Sequence, residues 1–275
     1  MLPLLFALCL SFTLPLEDAP PAPPDPVRVK AVVTEIEKAF KSGDMAARVQ
    51  AIEAGAPLVD AEVIDRIAKG LRDKESDVQK AAIEALRGMD HPSAVKGLEE
   101  GLKREPRLVK DVELHALALR ALGQHGRPSS IDLLTDDFWS DLDQRLMQAR
   151  ILGLGRIRTK ASVEKLIDLM KMRGPHKIQA QMQLFRTSLI VLTGADQGAS
   201  QEGWMKWWND NKAKLEVAAK PAALPKQLQN QWDAYWNEGK AAERAERRGG
   251  GKKDGGKEDP GKDGEKDTGG NDTEK

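Results

Sequence analysis

A pattern of paired helical segments recurs along this chain, and it constrains the fold more than any other feature of the sequence. Four leucines near the ends of first segments fall in register at spacings of 36, 32 and 38 residues: Leu86, Leu122, Leu154 and Leu192. A short turn joins each first segment to a second amphipathic segment. A period of this length with two helices per unit is typical of an α-solenoid. Because one unit cannot bury its apolar face alone, stacked units must supply the core.

Composition favours the same all-α fold. Aromatic residues make up 4% of the 275 residues, whereas charged residues reach 31%. A β sandwich needs more aromatic and β-branched side chains than this. We therefore predict helices that pack through small and aliphatic side chains.

Glycine and proline mark the predicted turns. Ser42 and Gly43 should end the first helical segment, which starts after the prolines of residues 19–26. We expect Gly123 and Gly155 to end later first helices by adopting the left-handed cap conformation. Pro92 and Pro128 should lie near the starts of second helices, where a missing N–H costs nothing.

Two segments carry a family resemblance. Residues 78–102 (VQKAAIEALRGMDHPSAVKGLEEGL) and 118–134 (ALRALGQHGRPSSIDLL) resemble HEAT-type repeats, particularly the bacterial variety called lyase-like HEAT repeats. The resemblance covers about residues 44–193 and implies an all-α solenoid of about four to five HEAT-like helix pairs. HEAT arrays serve as scaffolds, adaptors and occasionally enzymes, so the resemblance is nearly silent on function. Nothing in the sequence supports a lyase activity.

A Trp-rich element follows the last repeat. Thr193 and Gly194 form a turn that leads to Trp204, Trp207 and Trp208, which share one helical face. The element resembles one that follows HEAT arrays in other exported bacterial proteins. We favour a cap that seals the last repeat, as terminal repeats of solenoids require. The alternative is an aromatic platform for a glycan or peptide.

The termini should lie outside the solenoid. Residues 2–16 are apolar and of signal-peptide length, so we expect residues 1–18 to direct export to the periplasm or extracellular space. An uncleaved interfacial anchor and a mis-assigned start codon are the alternatives. Residues 19–26 form a Pro-rich linker. Cys9, the sole cysteine, lies in the apolar run, so a mature exported chain would have no thiol.

The remaining boundaries follow from composition. We assign residues 27–216 to the solenoid with its cap, 217–248 to an amphipathic helix and 249–275 to a disordered, charged, Gly-rich tail. The apolar side of the helix carries Trp232 and Trp236. That side either docks on the solenoid, which we favour, or binds a partner, because an exposed aromatic patch promotes association.

A search for catalytic or metal-binding motifs is negative. Residues 251–257 fit the GxxxxGK template, but Glu258 replaces the required Ser or Thr and no strand precedes it. His91 and His125 fall at equivalent turns and are interpreted as turn or cap residues. The acids around Trp139 (Asp136, Asp137, Asp141 and Asp143) lack calcium-loop spacing and are interpreted as capping and solvated residues, with a bound cation as the alternative. We predict no enzymatic activity, no cofactor and no metal.

The surface of the second helices is the remaining candidate site. By the resemblance these helices line the concave side, with the following exposed charges: Arg66, Lys69, Arg72, Lys96, Glu99, Glu100, Lys103, Asp132, Glu164, Asp168 and Lys171. The candidate partner-binding residues are Trp139, Lys96, Glu100, Lys103, Asp132, Asp168, Trp232 and Trp236. Trp139 is the best single hot-spot candidate. Packing of its ring between adjacent repeats is the competing interpretation.

These observations favour a non-catalytic scaffold or adaptor that binds a protein outside the cytoplasm. One alternative is a ligand- or glycan-binding protein, or an enzyme, with a site built across repeats. Another is a nucleic-acid-binding HEAT protein, which would require a basic inner face. Lys plus Arg equal Asp plus Glu at 43 each, and this balance disfavours a nucleic-acid partner. Mixed charges suit a protein partner better.

Overall fold

The computed structural model describes residues 24–140 and 143–237, and those ranges contain helices, turns and no strand. Two compact units are present: one runs to Leu224 and the other begins at Pro225. The predicted signal peptide, residues 19–23 of the linker and the predicted tail lie outside the described residues.

The first unit contains thirteen labelled helices within the described ranges. They are α1 (Pro26–Ser42), α2 (Met45–Gly55), α3 (Ala61–Ala68), α4 (Ser76–Gly88), α5 (Pro92–Arg104), α6 (Pro106–Lys110), α7 (Val112–His125), α8 (Ile131–Thr135), α9 (Gln144–Arg156), α10 (Lys160–Lys171), α11 (Pro175–Ile178), α12 (Met182–Thr193) and α13 (Gln201–Asn211). Short 3-10 turns occupy Lys69–Arg72, Pro128–Ser130 and Gln179–Gln181. The second unit contains α14 (Lys226–Trp236).

Most of these helices pack in two rows. Helices α2, α4, α7, α9 and α12 are consecutive neighbours in the first row. In the second row α3 packs on α5, α8 on α10, and α10 on α13. Helix α1 precedes the array and packs on both α2 and α3. The chain thus forms an all-α HEAT-like solenoid of five successive helix pairs within the described residues, which confirms the predicted architecture.

The leucine register predicted from the sequence is confirmed. Leu86, Leu122, Leu154 and Leu192 lie in α4, α7, α9 and α12, and all four side chains are buried. Each leucine faces the core from the same position of a first-row helix. The repeat period therefore corresponds to the length of chain in one structural unit.

Some predicted helix ends are confirmed. Gly43 follows α1 with φ 75°, a left-handed conformation that favours glycine. Pro92 is the first residue of α5, and Pro128 begins a 3-10 turn that leads into α8.

The prediction that Gly123 and Gly155 end their helices is wrong. Helix α7 continues past Gly123 to His125, and the left-handed residue is Gly126 with φ 63°. Helix α9 continues past Gly155 to Arg156 and is followed by Ile157 with φ −82°. Both glycines are instead buried helical residues in the last turns of their first-row helices.

Close packing between first-row helices explains these glycines. A Cβ built on Gly153 of α9 would lie 3.4 Å from the Cα of Gly123 in α7. A Cβ built on Gly155 would lie 2.7 Å from the hydroxyl oxygen of Ser188 in α12. Small residues therefore set the separation of the first-row helices.

The first unit extends beyond residue 216, where the sequence placed the end of the solenoid. Residues 215–224, here called the strap, follow the end of α13. The Arg158 guanidinium donates to the carbonyl oxygens of Ala218 at 2.7 Å and Lys220 at 2.8 Å. The same side chain donates to the carbonyl of Val191 at 3.1 Å, and the Ala222 N–H also donates to that carbonyl at 3.1 Å. These bonds hold the strap against the α9–α10 turn and the end of α12.

Candidate partner-binding surface

The second-row helices expose a charged surface, here called the second-helix face. It consists of the solvent side of α3 with its 3-10 turn, α5, α8 and α10. In α3 the apolar residues Val63, Ile64 and Ile67 are buried, while Asp65 of this helix and Lys69 of the 3-10 turn are exposed. Amphipathic spacing of this kind buries one stripe of a helix and leaves its charges in solvent.

A groove of about 400 Å³ runs between α3 and α5 on this face, here called the α3–α5 groove. Arg66, Lys69 and Arg72 line it from the first side. Lys96 and Glu100, both predicted as partner-binding residues, line it from α5.

Two glycines of α5 allow the helices beside the groove to approach closely. A Cβ built on Gly97 would lie 3.1 Å from the Cβ of Ala68. A Cβ built on Gly101 would lie 2.8 Å from a Cδ of Leu71. The groove is therefore shallow, and long charged side chains form its walls.

The basic side chains of the groove differ in their pairing. Arg66 pairs with Glu37 at 2.7 Å, and Arg72 pairs with Glu105 at 3.2 Å. Within the described ranges, Lys69 and Lys96 have no carboxylate oxygen within the 4.0 Å ion-pair distance of their Nζ atoms. The lysines are thus the charges of this surface that a partner can use without breaking an existing ion pair.

A second concavity adjoins the groove. This α1–α3 pocket has a volume of about 260 Å³ and is walled by Ile36, Phe40 and Lys41 of α1. Arg66 and Lys69 line it as well as the groove, so α3 forms the ridge between the two concavities.

The α1–α3 pocket is electropositive beside its apolar wall. The pKa of Glu37 lies below its ordinary value, first because Arg66 donates a hydrogen bond to its carboxylate. Lys41 and Lys69 lower this pKa further through their charges. The sequence alone does not reveal this pocket, because Phe40 falls at helical spacing with the apolar residues of α1 and is therefore expected in the core. The available signal is the position of Phe40 directly before Lys41 near the end of α1.

The other charged candidates lie elsewhere on the second-helix face. Lys103 is exposed two turns after Lys96 on α5, and Asp132 is exposed on α8. Asp168 on α10 is half-buried, and its carboxylate forms an ion pair with the Lys171 Nζ at 2.9 Å. Among the charged candidates for partner binding, namely Lys96, Glu100, Lys103, Asp132 and Asp168, only Lys96 and Glu100 line the α3–α5 groove.

Trp139 joins two repeats. Its indole N–H donates to the carbonyl of Leu169 in α10 at 3.2 Å, and its ring meets Phe138 edge-on at 4.9 Å. The Arg173 guanidinium lies 5.3 Å from the ring centroid, within cation–π distance. This geometry is the one expected if the half-buried ring packs between repeats. Its role as a hot spot stays a prediction.

The aromatic residues of α14 are also largely enclosed. Trp232 and Trp236 are 9% and 8% exposed, and their ring centroids are 5.6 Å apart. The sequence predicted that this helix extends to residue 248, but residues 238–248 lie outside the described residues. Two rings this deeply buried offer a partner little aromatic surface, and their role in binding stays a prediction.

The Trp-rich element after α12 has the geometry of a cap. Trp204 is fully buried, and its indole N–H donates to the carbonyl of Gly198 at 3.0 Å. Trp208 is buried, and Trp207 is half-buried with its ring 5.8 Å from that of Trp204. The buried rings belong to the core at the end of the array, as expected for a terminal repeat.

The two turn histidines make structural hydrogen bonds. The His91 Nδ1 accepts from the backbone N–H of Ser93 and caps α5. The His125 Nε2 lies 3.0 Å from the carbonyl oxygen of Leu86, one repeat away. Burial lowers the pKa of His125 below its ordinary value. These roles agree with the interpretation of both residues as turn and cap residues.

The acidic cluster around Trp139 has a similar explanation. Asp143 accepts from the backbone N–H of Arg145 and caps α9, and Asp141 lies outside the described residues. In the part of the chain that the structure describes, no group of three His, Cys, Asp or Glu side chains is placed to hold a metal ion.

The comparison with known families agrees with this architecture. The family model for HEAT repeats matches residues 33–118, from within α1 to within α7. No curated protein matches the chain. Among the helices of the described ranges, none has both the length and the apolar character required to cross a bilayer. HEAT repeats commonly mediate protein–protein interaction, and the matched residues include the α1–α3 pocket and the α3–α5 groove.

Proposed function

We propose that this protein is a non-catalytic scaffold or adaptor that binds a partner protein through its second-helix face. The observation that carries the proposal is the α3–α5 groove, where Lys69 and Lys96 face solvent without an ion-pair partner in the described residues. Surrounding charges such as Arg66 and Arg72 are already held in intramolecular pairs. Unpaired charges beside a shaped groove give a surface its partner selectivity.

The proposal of a non-catalytic role is supported by what the conspicuous polar residues do. His91 and Asp143 cap helices, and His125 joins two repeats through a backbone carbonyl. A general base or nucleophile needs a positioned partner at hydrogen-bond distance in an open site. These side chains are instead committed to holding the backbone.

We also propose that the protein acts outside the cytoplasm. The support is the apolar run of residues 2–16, which has the length of a signal peptide. Cell fractionation, together with N-terminal sequencing of the mature chain, tests this proposal. A mature N-terminus after residue 16 in an extracytoplasmic fraction supports export. A full-length chain in the cytoplasm contradicts it.

An affinity experiment tests the scaffold role. Tagged protein is crosslinked in its own cells and recovered from the envelope fraction, and co-purified proteins are identified by mass spectrometry. A Lys96→Glu variant runs beside the wild type. The matched control is Lys80→Glu, because Lys80 is an exposed lysine that lines a groove between the first-row helices α2 and α4.

The scaffold role predicts one strongly enriched protein that Lys96→Glu loses and Lys80→Glu retains. A well-folded bait that enriches no protein would contradict the proposal and favour screens with small ligands and glycans. Equal loss in both variants would place the interaction outside the second-helix face.

A further inference from the structure

We infer that the α1–α3 pocket and the α3–α5 groove together bind a short linear segment of the partner, with one large apolar side chain followed by acidic side chains about three residues away. This inference rests on the proposed function and adds the chemistry that the site would recognise. The segment would cross the α3 ridge in an extended conformation.

The charge of the two concavities selects an acidic segment. Five basic and three acidic side chains line them together, so the formal charge of the combined surface is positive. Lys41, Lys69 and Lys96 have no carboxylate within ion-pair distance in the described residues. An incoming glutamate or aspartate could therefore pair with a lysine without displacing an internal acid.

The same lining argues against a nucleic-acid partner. Glu37, Asp65 and Glu100 lie among the basic residues. A continuous phosphate backbone would be repelled at each of these positions, whereas a segment with few, placed carboxylates can avoid them. The mixed lining thus favours a peptide.

The apolar wall of the α1–α3 pocket selects the large apolar side chain of the segment. Phe40 is half-buried, and Ile36 of the same wall is buried. A cavity of about 260 Å³ beside these side chains can accept one large aliphatic or aromatic side chain. Burying such a side chain favours the complex because its apolar surface is removed from water.

The position of α3 sets the spacing of the motif. Because Arg66 and Lys69 line both concavities, a segment that occupies both must cross a single helix. Adjacent packed helices are about 8–10 Å apart. An extended chain rises about 3.3 Å per residue, so about three residues separate the apolar side chain from the first acid.

Fluorescence anisotropy with the full chain tests this inference. The probe is a labelled, end-capped peptide of glycine and serine that contains one leucine and, three residues later, two consecutive glutamates. A second probe has the same composition with the leucine next to the glutamates, and a third replaces the leucine by serine. The protein variants are Lys69→Glu, Lys96→Glu and the control Lys80→Glu, each checked by circular dichroism.

The inference predicts that wild type and Lys80→Glu bind the first probe alike. Lys69→Glu and Lys96→Glu should each weaken binding about tenfold or more, as should either change in the probe. Equal binding of all three probes, no binding of the first, or equal weakening by Lys80→Glu would overturn the inference. If the peptide fails while the envelope experiment still yields a partner that Lys96→Glu loses, the scaffold role stands and only the motif is wrong.

Discussion

Gly155 in α9 lies against Ser188 in α12 so closely that a Cβ on the glycine would come within 2.7 Å of the serine hydroxyl oxygen and 3.0 Å of the serine Cα. Ser188 is itself fixed, because its hydroxyl donates to the carbonyl of Ile151 at 2.8 Å. The contact joins consecutive first-row helices through the short side chain and the Cα of Ser188, which have little freedom to move aside. A small residue at position 155 therefore sets how the fifth helix pair stacks on the fourth.

We predict that Gly155→Ala lowers the free energy of unfolding by about 1–3 kcal/mol, because the added methyl group must push α12 away. Urea denaturation measures the change. The matched control is Gly88→Ala, since Gly88 is exposed at the end of α4 and its Cβ would meet no atom within 4 Å. The control should be neutral or slightly stabilising. Equal destabilisation by both variants would contradict the packing role of Gly155.

The Trp204 side chain should dominate the stability of the C-terminal end of the array. We expect Trp204→Ala to cost about 3–5 kcal/mol, because a fully buried ring is lost. Trp204→Phe should cost less, since it retains a ring but leaves the Gly198 carbonyl without its indole donor. Thermal unfolding measures both changes. The half-buried Trp207 supplies the control, and a Trp207→Ala variant as unstable as Trp204→Ala would argue against the cap.

The Arg158 side chain should determine the local stability of the strap. Arg158→Gln removes the guanidinium that bridges the carbonyls of Val191, Ala218 and Lys220, at a cost of about 1–3 kcal/mol to local stability. We therefore expect faster amide hydrogen exchange in the strap, including the Ala222 N–H. Arg145→Gln, which removes an exposed ion pair with Glu113, serves as the control. Unchanged exchange in Arg158→Gln would show that the strap is held by other contacts.

The stability of the array should depend on the protonation of His125. Burial places the pKa of this imidazole below its ordinary value of 6.5, so the folded chain binds the proton less readily than the unfolded chain. The neutral form's contribution is therefore fully present above about pH 6.5 and is lost as pH falls through the lower folded pKa. A glutamine can still donate to the Leu86 carbonyl but does not titrate.

Urea denaturation of wild type and His125→Gln between pH 7.5 and 5.5 measures this dependence. The wild type should lose more stability than the variant as pH falls, while His176→Gln, which alters an exposed residue of α11, should follow the wild type. Parallel curves for wild type and His125→Gln would contradict the prediction.

The sequence was sufficient to predict features that recur in every repeat. The register of Leu86, Leu122, Leu154 and Leu192 follows from one period, because equivalent positions of stacked units face the same core. The proline starts and the Gly43 cap are local, so they too were predicted correctly.

Features that depend on two distant segments were not predictable. Gly123 and Gly155 look like helix ends in the sequence, and only the neighbouring helices show that they are packing sites. The strap depends on one arginine about 60 residues from its carbonyl partners. The α1–α3 pocket likewise exists because α1 packs directly on α3, although α2 separates these helices in the sequence. No local sequence pattern encodes this contact.

Site-specific photocrosslinking tests the central claim, that a partner protein binds the second-helix face. A photoreactive amino acid replaces Lys96 in one variant and Lys80 in another, and each is irradiated in the cells that produce the protein. The account predicts a discrete crosslinked protein from position 96 and none from position 80. Crosslinking of the same protein from position 80 but not from position 96 would contradict it.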